Sequence, residues 1–131
     1  MNIALVAHDS KKNLMENLCI AYRHILNKHR VFATGTTGRV VEEAAGLDVE
    51  KYIEGPLGGE QQLAIQIAHD DIDLVIYLCD PSFGYQGEPG VIGIMRLCDV
   101  HNIPLATNLA TAEALILALD RGDLNWREIV K

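Results

Sequence analysis

Five short stretches of the chain carry side chains suited to chemistry: "AHDSKK" (7–12), "TGTTG" (34–38), "GPLGGEQQ" (55–62), "DPSFGYQGEPG" (80–90) and "ATNLAT" (106–111). "TGTTG" places three hydroxyls and two glycines where a helix should begin. Backbone N–H groups at a helix N-terminus favour an anion, and threonine hydroxyls add donors. The stretch is therefore either a phosphate cradle or a capped turn with Thr36 or Thr37 as the N-cap. It is not a P-loop, because no Gly-Lys-Ser/Thr follows. "AHDSKK" supplies His8, Asp9, Lys11 and Lys12, where a lysine would help neutralise a phosphate or all four would be solvated residues of a first helical turn. In "GPLGGEQQ", Gly55, Gly58 and Gly59 let the backbone approach a ligand. Glu60 then stands in a first helical turn, as a general base in a desolvated pocket or as a carboxylate favoured by the helix dipole. "ATNLAT" offers Thr107, Asn108 and Thr111, or a cap for the last helix. The 80–90 stretch holds Asp80, Glu88, Gly84, Gly87 and Gly90, with no histidine or basic residue.

These groups need elements to position them. "NIALVAHD" (2–9) is a first strand, and Leu14, Leu18, Tyr22 and Ile25 at helical spacing predict a helix from Lys11 to about His29. "RVFAT" (30–34) is a second strand, followed by a helix from "GTTG" to Ala45 that Gly46 stops. "VEKYI" (49–53) alternates as an edge strand would, and a helix over 60–69 follows. "DLVIYLC" (73–79) is a continuous apolar run, as expected of a strand covered on both faces. "VIGIMRLCDVHN" (91–102) is helical, "IPLAT" (103–107) is a fifth strand, and "ATAEALILALDRG" (110–122) is the last long helix, before a tail in which Trp126 is expected to dock on a neighbour. Alternating strands and helices predict an α/β fold in three layers, a five-stranded parallel sheet flanked by helices, in one domain over 1–131. Ligands of such sheets bind outside the carboxyl ends of the strands. That rim receives all five stretches and, of the histidines, only His8; His24, His29, His69 and His101 fall on the opposite rim.

Composition narrows the function classes. At 131 residues and 49% hydrophobic, the chain can bury a core without staples. A net charge of −7 argues against a nucleic-acid partner, whose phosphates need a basic face. No apolar run reaches membrane-spanning length and no signal peptide is read, so a cytoplasmic protein with no membrane partner is expected. Cys19, Cys79 and Cys98 lack CxxC spacing and suggest buried reduced thiols; the histidines lack HxH and HxxxH spacing, so no metal is expected.

In order and spacing, "IALVAHD", "FATGTTG", "GPLGGEQQ", "DP" and "IPLATNLAT" together resemble the methylglyoxal synthase family over nearly the whole chain. The resemblance implies a homohexamer that converts dihydroxyacetone phosphate into methylglyoxal and inorganic phosphate without a cofactor. It implies phosphate contacts from Lys12, Thr34, Gly35, Thr36, Thr37 and Gly55, and catalytic roles for Glu60, Asp80, His8 and Asp9. The chain departs from the family's pattern at four places. Glu60 replaces the aspartate of "GGDQQ", a longer reach by one methylene. The family's "PHEPDV" aligns with "QGEPGV" (86–91), so Gly87 stands for a histidine and Gly90 for an aspartate. Glu54 stands for a serine; a carboxylate ~4 Å from a phosphate would repel it by roughly 4 kcal/mol per charge pair at an effective dielectric of 20. The resemblance therefore implies a synthase of weakened or altered activity with Glu60 as base, in which Tyr85 or Gln86 can replace the loop histidine. The alternatives are a non-catalytic module binding a small phosphorylated metabolite or inorganic phosphate, as in the related allosteric domain of carbamoyl phosphate synthetase, or a structural partner in a hexamer.

Overall fold

The computed structural model describes residues 1–53, 59–83 and 89–130. In chain order the elements are β1 (Asn2–Ala7), α1 (Lys12–Ala21), α2 (Arg23–Leu26), β2 (Arg30–Ala33), α3 (Gly35–Ala45), β3 (Val49–Lys51), α4 (Gly59–Ala68), β4 (Leu74–Leu78), α5 (Pro89–His101), β5 (Leu105–Ala106), α6 (Leu109–Asp120) and α7 (Arg127–Val130). The five strands form one sheet in the order β3-β2-β1-β4-β5, with every pair parallel. β1 is central because it is apolar throughout and needs cover on both faces. Its side chains alternate: Ile3 and Leu5 pack with Met15, Leu18, Val41 and Ile116 of α1, α3 and α6. Ala4 and Val6 pack with Leu63, Ile67, Val91 and Ile94 of α4 and α5. The expected three-layer α/β architecture is therefore present, with two apolar layers divided by the sheet.

Local chemistry sets the boundaries. Gly46 ends α3 in the left-handed region at φ 66°, where glycine carries no side-chain penalty. Asn108 begins α6 as its N-cap, its Oδ1 accepting from the Thr111 N–H at 3.0 Å. The expected single helix over 11–29 is instead divided: Tyr22 leaves helical geometry (φ −110°, ψ 21°). Arg23 then donates its Nε–H to the Ala45 carbonyl at 2.7 Å, tying this turn to the end of α3. The fifth strand is shorter than expected, since Pro104 has no N–H for the ladder and only accepts from Val75. Burial pushes the thiols of Cys19 and Cys98 up to about 12, while Cys79 is half-buried rather than fully covered.

The tail docks through a residue other than the expected one. Trp126 stays 44% exposed, whereas Arg127 is 3% exposed and reaches under the sheet. Its Nε donates to Asp73 Oδ1 at 3.3 Å, and its other nitrogens donate to the carbonyls of Asn102 and Ile72. Asp73 Oδ2 accepts from the Asn2 N–H at 2.9 Å, so one buried ion pair joins the starts of β1 and β4 to α7. Removing one partner of such a pair leaves a buried charge without compensation. Arg127→Ala should lower unfolding free energy by about 3 kcal/mol in urea denaturation; a loss below ~1 kcal/mol would show that the pair carries no such weight.

Candidate active site

Two adjoining cavities open at the carboxyl ends of the strands. The larger, about 790 Å³, is bounded by His8 and Asp9 after β1, Thr34 and Thr36 at the start of α3, Glu60 on α4 and Gly90 on α5. The smaller, about 290 Å³, is lined by Lys11, Asp80, Thr107 and Asn108, and His8 lines it too.

His8 is held by the continuation of the β1–β4 ladder. Its N–H donates to the Leu78 carbonyl at 3.1 Å, and its Nδ1 accepts the Asp80 N–H at 2.8 Å. An amide only donates, so Nδ1 is the acceptor nitrogen of the ring and Nε2 carries the proton. His8 thus stands at the wall shared by the two cavities, with Nε2 itself buried.

Asp80 lies on the expected rim, at the carboxyl end of β4. Its carboxylate accepts from the hydroxyls of Ser10 and Ser82 and from the Ser82 N–H at 2.9 Å. These hydrogen bonds, Ser10's first, hold its carboxyl down at about 2. It lines the smaller cavity, whereas Glu60 lines the larger. Asp80 therefore fastens the loops after β1 and β4 and orients His8. Asp9 fits the alternative of a solvated first-turn residue. Its side chain is 97% exposed and pairs with Lys12 at 2.8 Å, a hydrogen bond that lowers its carboxyl below the usual range. Lys12 also donates to the Ala7 carbonyl at 3.2 Å, which sets its ammonium behind the cavity wall.

The hydroxyl stretch divides in two. Thr34 occupies the N-cap of α3, where Thr36 or Thr37 was expected, with no side-chain cap hydrogen bond. Thr37 turns inward, 1% exposed, and its hydroxyl pairs with that of Thr34 at 3.1 Å. Gly35 is buried as the first residue of α3, and Thr36 is exposed on the cavity side. The first-turn N–H groups of α3 are thus presented at a helix end without a side-chain cap. A Cβ on Gly59 would lie 2.7 Å from Thr34 Cγ2, so only glycine lets α4 begin this close to α3. Gly55, Glu54, Tyr85, Gln86, Gly87 and Glu88 lie outside the described residues.

Glu60, half-buried in the first turn of α4, accepts a hydrogen bond from the Tyr77 hydroxyl. Tyr77 is 1% exposed, and its ring meets that of His8 edge-on at 5.7 Å. Sequence reasoning missed Tyr77, Ser10 and Ser82. The signal for Tyr77 was a phenol inside a buried strand, since a buried O–H usually finds a partner. The arrangement can remove a proton with a carboxylate and hold an anion at a helix N-terminus.

Asp80 generates a pH prediction. Its carboxyl is lowered in the folded chain, so its contribution is present above the unfolded value near 3.8 and is lost as pH falls through about 2. Asp80→Asn should lower the urea midpoint by a constant amount above about pH 4, and the two curves should converge toward pH 2. A difference that grows on acidification would refute this account of the loop.

Comparisons with known proteins bear on this site. Residues 16–107 match the model of the "MGS-like domain" family. The chain is 62% identical to "Methylglyoxal synthase" of Caldicellulosiruptor saccharolyticus, over 99% of this chain and 92% of that protein. It is 56% identical to "Methylglyoxal synthase" of Thermoanaerobacterium thermosaccharolyticum, over 100% and 98% respectively. The crystal structure of methylglyoxal synthase from Elizabethkingia anophelis superposes with a TM-score of 0.77 at 42% identity, covering 88% of this chain and 76% of that one.

Proposed function

The chain belongs to the methylglyoxal synthase family, and from that premise we propose that it binds dihydroxyacetone phosphate and eliminates phosphate to give methylglyoxal. The observation that carries the reading is the Glu60 carboxylate, anchored by Tyr77 and sharing a cavity with the uncapped start of α3. Glu60 takes a proton from the hydroxymethyl carbon of the substrate, and the electrons move onto the neighbouring carbonyl as an enediolate. His8, at the wall of the same cavity, flanks the carbonyl on which the charge develops. The enediolate collapses, the C–O bond to phosphate breaks, and phosphate leaves from the adjacent carbon. The resulting enol takes up one proton at that carbon and becomes methylglyoxal, so no electrons are supplied from outside and no cofactor is required.

Phosphate is gripped by the first-turn N–H groups of α3 with the Thr34 and Thr36 hydroxyls, and Lys12 adds charge from behind the wall. Gly35 and Thr37 shape that grip, Asp9 holds Lys12, and Asp80 orients His8, while the family resemblance adds Gly55 to the phosphate contacts. The same reading includes one domain over 1–131, assembly as a homohexamer and a cytoplasmic location. No described helix is long and apolar enough to cross a membrane. The exposed Ile65, Met95 and Val100 on α4 and α5 provide apolar surface for subunit contacts.

A second reading, a phosphometabolite-binding module without catalysis, is favoured by Gly90 standing where the family pattern resembles an aspartate. One experiment separates them: release of methylglyoxal and phosphate from dihydroxyacetone phosphate. Wild type should form both in equal amounts, and Glu60→Gln should lower kcat by about a thousandfold with little change in KM. Absence of product above an enzyme-free control, with inorganic phosphate still raising the melting temperature, would select the binding module.

A further inference from the structure

Gly90 is a glycine whose backbone does not call for one. It lies in the first turn of α5, outside the described glycines of positive φ, which are Gly46 and Gly122. In a helix, glycine is less favourable than alanine by about 1 kcal/mol. What the position lacks is space. A Cβ built there would overlap the Glu60 carboxylate, reaching within 2.8 Å of its Cδ. Such an overlap is cheap where the neighbour can swing aside, but Glu60 Oε1 is tied to the hydroxyl of Tyr77, itself immobilised in β4. Gly93, one turn later on α5, has nothing within 4 Å of its own Cβ position, so the crowding is specific to Gly90.

We propose that Tyr77 and Gly90 are positioning residues that together fix the Glu60 carboxylate for proton abstraction, Tyr77 by donating to Oε1 and Gly90 by leaving room for Oε2. The extra methylene of a glutamate carries its carboxylate about 1.5 Å further than an aspartate's. In this chain that reach ends against the Gly90 backbone, at the N-terminal end of α5, where the helix dipole favours a negative charge. The glutamate at 60 and the glycine at 90 are thus one coupled choice, and the phenol at 77 selects a single rotamer for it. The proposal rests on the reading of Glu60 as the base, and its test separates the two.

Steady-state turnover of dihydroxyacetone phosphate is compared for wild type, Tyr77→Phe, Gly90→Ala, Glu60→Asp and the Glu60→Asp/Gly90→Ala pair. The Glu60 side-chain carboxyl resonance of the ligand-free proteins is read by NMR alongside it. Alanine suits a helical position, so Gly90→Ala should fold, which its melting curve checks. Tyr77→Phe and Gly90→Ala should each lower kcat by about tenfold or more while KM stays within about threefold. Both should shift the Glu60 resonance. The loss from Gly90→Ala should shrink by about fivefold in the Glu60→Asp background, where the shorter carboxylate clears the new methyl. Equal losses in the two backgrounds, or an unmoved resonance, would overturn the proposal. A wild type that forms no methylglyoxal while the resonance still shifts would overturn the activity and leave the interlock standing.

Discussion

The pairing of β1 with β4 is the constraint on which the rest depends. Five residue pairs from Ile3↔Leu74 to Ala7↔Leu78 set the register. The ladder does not stop where the strands stop. It runs on through the His8 N–H to Leu78 and the Asp80 N–H to His8 Nδ1. A slip of one residue would turn Tyr77 and Leu78 to the wrong layers and remove both the anchor of Glu60 and the tautomer of His8. At the opposite end the same strands are bound by the Asp73–Arg127 pair. The sheet is therefore fixed below by a buried charge pair and above by groups that form the site.

Around that frame the site is built from close approaches that small residues permit. Gly59 lets α4 start against Thr34, and Gly90 lets Glu60 lie against α5. Neither contact is a strong interaction by itself. Together they bring the starts of α3, α4 and α5 to one cavity. Helix N-termini favour negative charge, and the proposed chemistry supplies it in the carboxylate base, the enediolate and the phosphate.

Much of this was legible in the sequence, for identifiable reasons. The apolar run before Asp80 requires a strand with both faces covered, and the stop at Gly46 and the cap at Asn108 follow from rules that act within a few residues. Other features depend on distant partners and left no local mark. Tyr77 looks like one more core residue until Glu60 is seen beside it. Arg127 sits in a polar tail, and nothing near it in the chain announces Asp73. Thr37 and Thr36 are adjacent and chemically alike, yet helical rotation sends one hydroxyl inward and the other to the cavity. Asp80 and Glu60 both follow sheet strands, yet they line different cavities, with His8 at the wall of both.

The central claim is that Glu60 removes a carbon-bound proton of the substrate, and it is tested most directly by turnover of dihydroxyacetone phosphate in D2O followed by proton NMR. The account predicts methylglyoxal with a single deuteron in its methyl group, formed faster than in enzyme-free solution, and formed about a thousandfold more slowly by Glu60→Gln. Unchanged formation of that product by Glu60→Gln would contradict it.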